Sequence, residues 1–104
     1  MESKKELDYL KKFWSNKKIF ITGHTGFKGS WLSIILNILG AKLYGYSLKP
    51  KKKSLFNQSR IGKNFISNFY GDINNFKLLS KKINKSKPNI IFHLAAQPLV
   101  IDSY

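Results

Sequence analysis

Lys17 to Gly29 read K-K-I-F-I-T-G-H-T-G-F-K-G, a short apolar strand running into glycines at 23, 26 and 29, and an apolar stretch from Ser30 to Leu39 follows at once. The pattern describes a phosphate-binding turn. Gly23 lets the chain leave the strand sharply, Gly26 lets backbone approach a pyrophosphate, and Gly29 lets a helix pack closely on the strand. A helix starting near Phe27 or Lys28 then turns its unpaired N–H groups and positive dipole end toward the anion, so no side-chain charge is required. Three glycines so spaced also make ordinary strand-to-helix turns. The ligand reading is favoured because a second strand-like segment, Ala41 to Ser47, completes the unit that the fingerprint requires.

Working outward, Leu7, Leu10 and Trp14 recur at helical spacing within Lys4 to Trp14, which predicts a short amphipathic helix with its lead-in over residues 1–16; a partner-binding helix is the alternative, but covering the fold's own surface is the more frequent outcome. Residues 17–104 then form one partial domain. Strand one is Lys17 to Thr22. In the following helix Ser30, Ser33 and Asn37 share a narrow polar stripe, so the rest of that helix is expected to be buried. Gly40 stops it. Lys49 to Lys53 form an exposed loop, Phe65 to Tyr70 a third strand, and Asn74 or Asn75 caps a helix with Phe76, Leu79 and Ile83 facing inward. Lysines 81, 82 and 85 suit that helix's negative end, and Pro88 precedes a fourth strand at Ile90 to Leu94. The expected fold is α/β: a parallel sheet in order 3-2-1-4, the first half of a doubly wound fold, truncated after strand four.

The residues also carry a resemblance. Phe13-Trp14, T-G-H-T-G-F-K-G-S-W-L (Thr22 to Leu32), L-G-A-K-L-Y-G-Y-S-L (Leu39 to Leu48), S-L-F (Ser54 to Phe56), G-D-I (Gly71 to Ile73) and H-L-A-A-Q-P-L-V (His93 to Val100) fall in the order seen in CDP-glucose 4,6-dehydratases. Those enzymes are extended short-chain dehydrogenases/reductases with a Rossmann-like domain. The resemblance runs from about Phe13 to the last residue and implies an N-terminal fragment covering roughly the first third of such an enzyme.

Ligands in such sheets sit beyond the carboxyl ends of the strands, where strand order reverses. The resemblance and this rule together make Gly23, Thr25, Gly26, Phe27, Lys28 and Gly29 the phosphate segment, Ser47 the ribose position, Asp72 and Ile73 the adenine flank, and Leu94, Ala95 and Ala96 the path toward nicotinamide. Plain packing is the other reading of Ala95 and Ala96. An acid for the ribose hydroxyls is expected at the end of strand two, yet Ser47 stands there with Lys49 nearby, which alone would admit NADP. The resemblance implies NAD. It also implies CDP-glucose as substrate, Gln97 and Leu99 to Tyr104 as the side nearest the sugar nucleotide, and a homo-oligomer at full length. Ile101 and Asp102 depart from the V-R-x-S-Y pattern expected there.

The short-chain dehydrogenase acid/base is a tyrosine with a lysine four residues later. Tyr9, Tyr44, Tyr46 and Tyr70 are followed at that spacing by Phe13, Leu48, Pro50 and Asn74, and Tyr104 is the last residue. No catalytic residue is therefore assigned, and a related NAD-dependent nucleotide-sugar epimerase or dehydratase is the enzymic alternative. His24 lies inside the loop, and His93 reads as a hydrogen-bonded core histidine at the end of a buried strand.

Nineteen Lys plus Arg against five Asp plus Glu give the 104 residues a formal charge of +14, which raises a polyanion-binding module as an alternative. Arg60 is the single arginine, whereas nucleic-acid readers favour arginine for bidentate contacts, so a solvated lysine surface is preferred and no specific nucleic acid is expected. Cysteine is absent, excluding disulfides and thiolate metal sites. No apolar run is long enough to span a bilayer and no signal core opens the chain, so a cytoplasmic protein without a membrane partner is expected.

Overall fold

The computed structural model describes residues 2–95. Helix α1 (Glu2–Trp14) leads into strand β1 (Lys18–Thr22), helix α2 (Phe27–Ile38), strand β2 (Lys42–Ser47), a short helix α3 (Leu55–Ser59), a 3-10 turn (Ile61–Asn64), strand β3 (Phe65–Tyr70), helix α4 (Phe76–Ser86) and strand β4 (Ile90–His93). All strand pairs are parallel, in the order β3-β2-β1-β4. The expected sheet is present. Right-handed crossovers place α2, which runs between β1 and β2, on the face opposite α4, which runs back from β3 to β4.

The core lies between the sheet and the first of these faces. Ile19, Ile21 and Leu43 from the strands meet Leu36 of α2, Phe56 of α3, Ile61 and Phe65, with Trp14, Leu32 and Phe92 packed on the margin. Helix α2 ends where the sequence placed its stop: Gly40 takes φ +87°, its N–H donates to Asn37 O, and Ala41 N–H donates to Leu36 O. That double bond pattern satisfies carbonyls which would otherwise be orphaned, and it needs a residue tolerant of positive φ.

Four expectations are corrected. The polar stripe of α2 faces inward: Ser30 and Ser33 are fully buried, whereas Trp31 and Ile35 are 49% and 48% exposed. Small hydroxyls win the inner face because the glycine turn forces the helix start against the chain, and each hydroxyl finds a backbone acceptor there, Ser30 Oγ on His24 O at 3.0 Å and Ser33 Oγ on Gly29 O at 2.6 Å. Helix α1 does not cover the fold. Its side chains from Lys4 to Phe13 are exposed, and Trp14, half-buried with its ring 6.4 Å from Phe92, is where it meets the core.

In α4, Asn75 is the cap, accepting from Leu78 N–H at 3.3 Å, while Phe76 is 66% exposed and Leu79 and Ile83 are half-buried. Phe76 opens the helix, before the turn that reaches the sheet. Lys82 does not merely face the helix end; its Nζ lies 4.1 Å from the centre of the Phe69 ring. His93 does hydrogen-bond, with Nδ1 2.7 Å from Thr22 Oγ1, but its side chain is exposed because β4 is an edge strand among the described residues.

Register carries one irregularity. Leu43 pairs with Phe65, but Tyr44 pairs with Ser67, so one residue of β3 is skipped between them. Beyond that bulge the alternation of faces is inverted, and Asn68 comes to the same face as Phe65.

Candidate functional site

The end of β1 decides where a ligand can sit. Gly23 takes φ +81°, and a Cβ there would lie 2.6 Å from Leu94 C and O and from Ala95 N. The backbone leaving β4 thus passes directly over the backbone leaving β1, between the two strands where the direction of winding reverses. Any side chain at residue 23 would both strain the turn and separate those strands. Gly29 is equally crowded, its missing Cβ falling on Gly23 O and 2.7 Å from His24 Cα. Gly26 is different: the nearest atom to a Cβ there is Gly23 O at 3.4 Å, an ordinary contact. Its open side is therefore available to something outside the chain.

That open side faces a cleft of ≈ 830 Å³. Residues just past or at the carboxyl end of every strand line it: Gly23, Thr25, Gly26 and Phe27 after β1, Ser47 to Lys49 at the end of β2, Gly71 and Ile73 after β3, and Leu94 and Ala95 after β4. Helix α2 begins at Phe27 with Gly26 as its N-cap and no side-chain cap, so its first-turn N–H groups emerge beside Gly26. Volume and lining suit a dinucleotide, with glycine backbone for the phosphates and apolar Ile73 and Leu94 for rings.

Hydroxyls stand at the end of β2, where the sequence leads one to expect a ribose. Thr25 Oγ1 donates to Leu48 O at 2.9 Å, which leaves Ser47 Oγ as the donor in its 2.7 Å contact with Thr25 Oγ1. Ser47 then offers lone pairs to the cleft, an uncharged acceptor where an acid is usual. Lys49, Lys51 and Lys53 line the same end. Tyr46 supports the floor: fully buried, it donates to Asp72 O at 2.8 Å and stacks on Phe69 at 5.5 Å. Burial first, and the Asp72 carboxylate second, push its phenol above the usual value, so it stays a donor.

The structure brings most of the sequence-predicted residues together and separates a few. Gly23, Thr25, Gly26, Phe27, Ser47, Ile73, Leu94 and Ala95 share the cleft. Asp72 turns its carboxylate to Asn74 N–H at 2.9 Å. Lys28 is exposed outside the lining, and Gly29 is a packing residue under the loop. Ala96, Gln97 and Leu99 to Tyr104 lie outside the described residues. Sequence reasoning missed Leu48, Pro50, Ser54, Leu55 and Gly71, all in the lining. Ser54 had a readable signal, since its hydroxyl caps α3 by accepting from Asn57 N–H at 3.2 Å.

A family model described as GDP-mannose 4,6 dehydratase matches residues 20–104, from within β1 through every segment lining the cleft. The chain belongs to that family. Among curated relatives it is similar to a CDP-glucose 4,6-dehydratase of Salmonella typhimurium, 50% identical over 95 residues that cover 90% of this chain and 26% of the relative. It is also similar to GDP-mannose 4,6 dehydratase 2 of Caenorhabditis elegans, at 36% identity covering 91% of this chain and 27% of that protein. The chain thus spans about a quarter of the length of these relatives. Among solved structures, an epimerase from Methanothermobacter thermautotrophicus superposes with a TM-score of 0.63 at 25% identity, over 88% of this chain and 26% of that one. A protein from Burkholderia cenocepacia J2315, with the same TM-score and 19% identity, shares the fold.

No helix among the described residues is long and apolar enough to cross a membrane.

Proposed function

We propose that this chain is the NAD-holding part of a nucleotide-sugar 4,6-dehydratase acting on CDP-glucose. The observation that carries the reading is the glycine turn at the reversal point of the sheet, with Gly26 open toward a cleft that residues from all four strand ends line. Bound NAD would take the hydride from C4 of the sugar and return it at C6 after loss of water. This chain's residues do the holding. Gly26 and the first turn of α2 receive the pyrophosphate, Ser47 Oγ accepts from a ribose hydroxyl, and Ile73 with Leu94 excludes water around the rings. The acid/base tyrosine and lysine are not among these residues, so the chain by itself binds without turning over. The reading adds a homo-oligomeric, cytoplasmic enzyme at full length.

A second cofactor reading has its own support: the end of β2 carries no carboxylate, and Lys49, Lys51 and Lys53 line the cleft there, a setting that also accepts a 2′-phosphate. Calorimetric titration with NAD and with NADP tests both. Saturable NAD binding at one site is expected; a preference for NADP that disappears in Lys49→Glu would replace NAD, and absence of binding to either would end the dinucleotide reading.

A further inference from the structure

The imidazole of His24 is fully buried beneath the glycine loop, away from the cleft. Its ring lies over Gly45 of β2, where a Cβ would come within 2.6 Å of three ring atoms, and its centre is 5.3 Å from Phe56 and 4.8 Å from Phe65. Nε2 is 2.6 Å from Asn68 Oδ1, and Nδ1 has no hydrogen-bond partner. The Asn68 amide is oriented by its other end, where Nδ2 donates to Tyr70 Oη at 3.3 Å. The proton therefore sits on Nε2 and the orphan atom is a lone pair, the less costly group to strand than an N–H.

An apolar side chain would fill this space without stranding any polar atom. What it would lack is the bond to Asn68. That bond runs from the middle of the loop across β2 to β3, while the His24 carbonyl is held from the other side by Ser30 Oγ of α2. Gly23, Thr25, Gly26 and Phe27 form the wall of the cleft on the β1 side, and Gly71 and Ile73, just past β3, form its wall on the other side of β2. The imidazole braces one wall against the strand that carries the other.

We propose that His24 is a positioning residue whose Nε2–H bond to Asn68 fixes the glycine loop against β3 and so sets where the loop's N–H groups meet the cofactor phosphates. The inference rests on the dinucleotide reading of the cleft. Three variants separate the bond from the bulk: His24→Leu keeps volume and loses the bond, His24→Gln places an amide nitrogen where Nε2 stands, and Asn68→Leu removes the same bond at an exposed strand position without touching the loop. For each, NAD affinity is measured by calorimetry and the amide exchange of residues 23–29 by mass spectrometry. His24→Leu and Asn68→Leu are expected to bind about tenfold more weakly with faster loop exchange, and His24→Gln to stay within about threefold of the parent. The double variant His24→Leu/Asn68→Leu, with no stranded imidazole N–H, regains the thermal stability that Asn68→Leu loses but not the affinity. Parent-like affinity in both single leucine variants, or a glutamine variant as weak as the leucine one, overturns the proposal. A parent protein that binds no dinucleotide would instead overturn the reading of the cleft, while loop exchange unmoved by either leucine variant would overturn the brace by itself.

Discussion

Acidification should weaken this fold through one residue. Burial pushes the His24 imidazole down from 6.5 to about 4, and the hydrogen bond with Asn68 opposes that only in part. The groups packed around the ring are Gly45 of β2, Phe56 of α3, and Phe65 and Asn68 of β3, none of them charged. The folded chain therefore resists a proton that the unfolded chain accepts. Stability is fully present above about pH 6.5 and is lost as the pH falls toward about 4, because across that window the unfolded state binds more protons. At about 1.4 kcal/mol per pH unit, the interval from 6.5 to about 4 amounts to about 3 kcal/mol, a large part of what a chain of this size has. Urea unfolding at half-unit steps from pH 7.5 to 4, in parallel with His24→Gln, isolates the effect, since carboxylates titrate alike in both proteins. The parent should lose roughly 3 kcal/mol more than the variant over that range. Parallel curves would refute the argument and mean that the imidazole is solvated.

Gly45→Ala should cost about 1–3 kcal/mol, because the added methyl meets the His24 ring at 2.6 Å with no flexible chain end to yield. Pairing it with His24→Ala should recover much of that loss in a double-mutant cycle, and strict additivity of the two thermal shifts would count against the contact. Gly26→Val should leave the melting temperature within a few degrees, since only Gly23 O approaches that side, yet remove NAD binding on calorimetry; undiminished affinity would take Gly26 out of the phosphate site.

The parts of the fold legible in sequence are those where a local rule has no competitor. Glycines at 23 and 40 stand where the chain needs positive φ, the apolar runs over β1 and β2 are buried as strands of a parallel sheet must be, and crossover handedness then gives the order β3-β2-β1-β4. Other features were decided by packing. The stripe of Ser30 and Ser33 is a solvent face by composition, but the close approach of α2 that Gly29 permits admits small side chains there and leaves Trp31 and Ile35 outside. Period-two reading of β3 sets Asn68 on the face opposite Phe65; the bulge opposite Leu43 and Tyr44 brings both beneath His24. The residues of the glycine turn determined that a phosphate-type loop would form at the end of β1. The brace behind it joins residues 44 positions apart, and only the tertiary structure could decide that, because a one-residue shift in strand register leaves hydrophobic content unchanged while reversing which side chains meet.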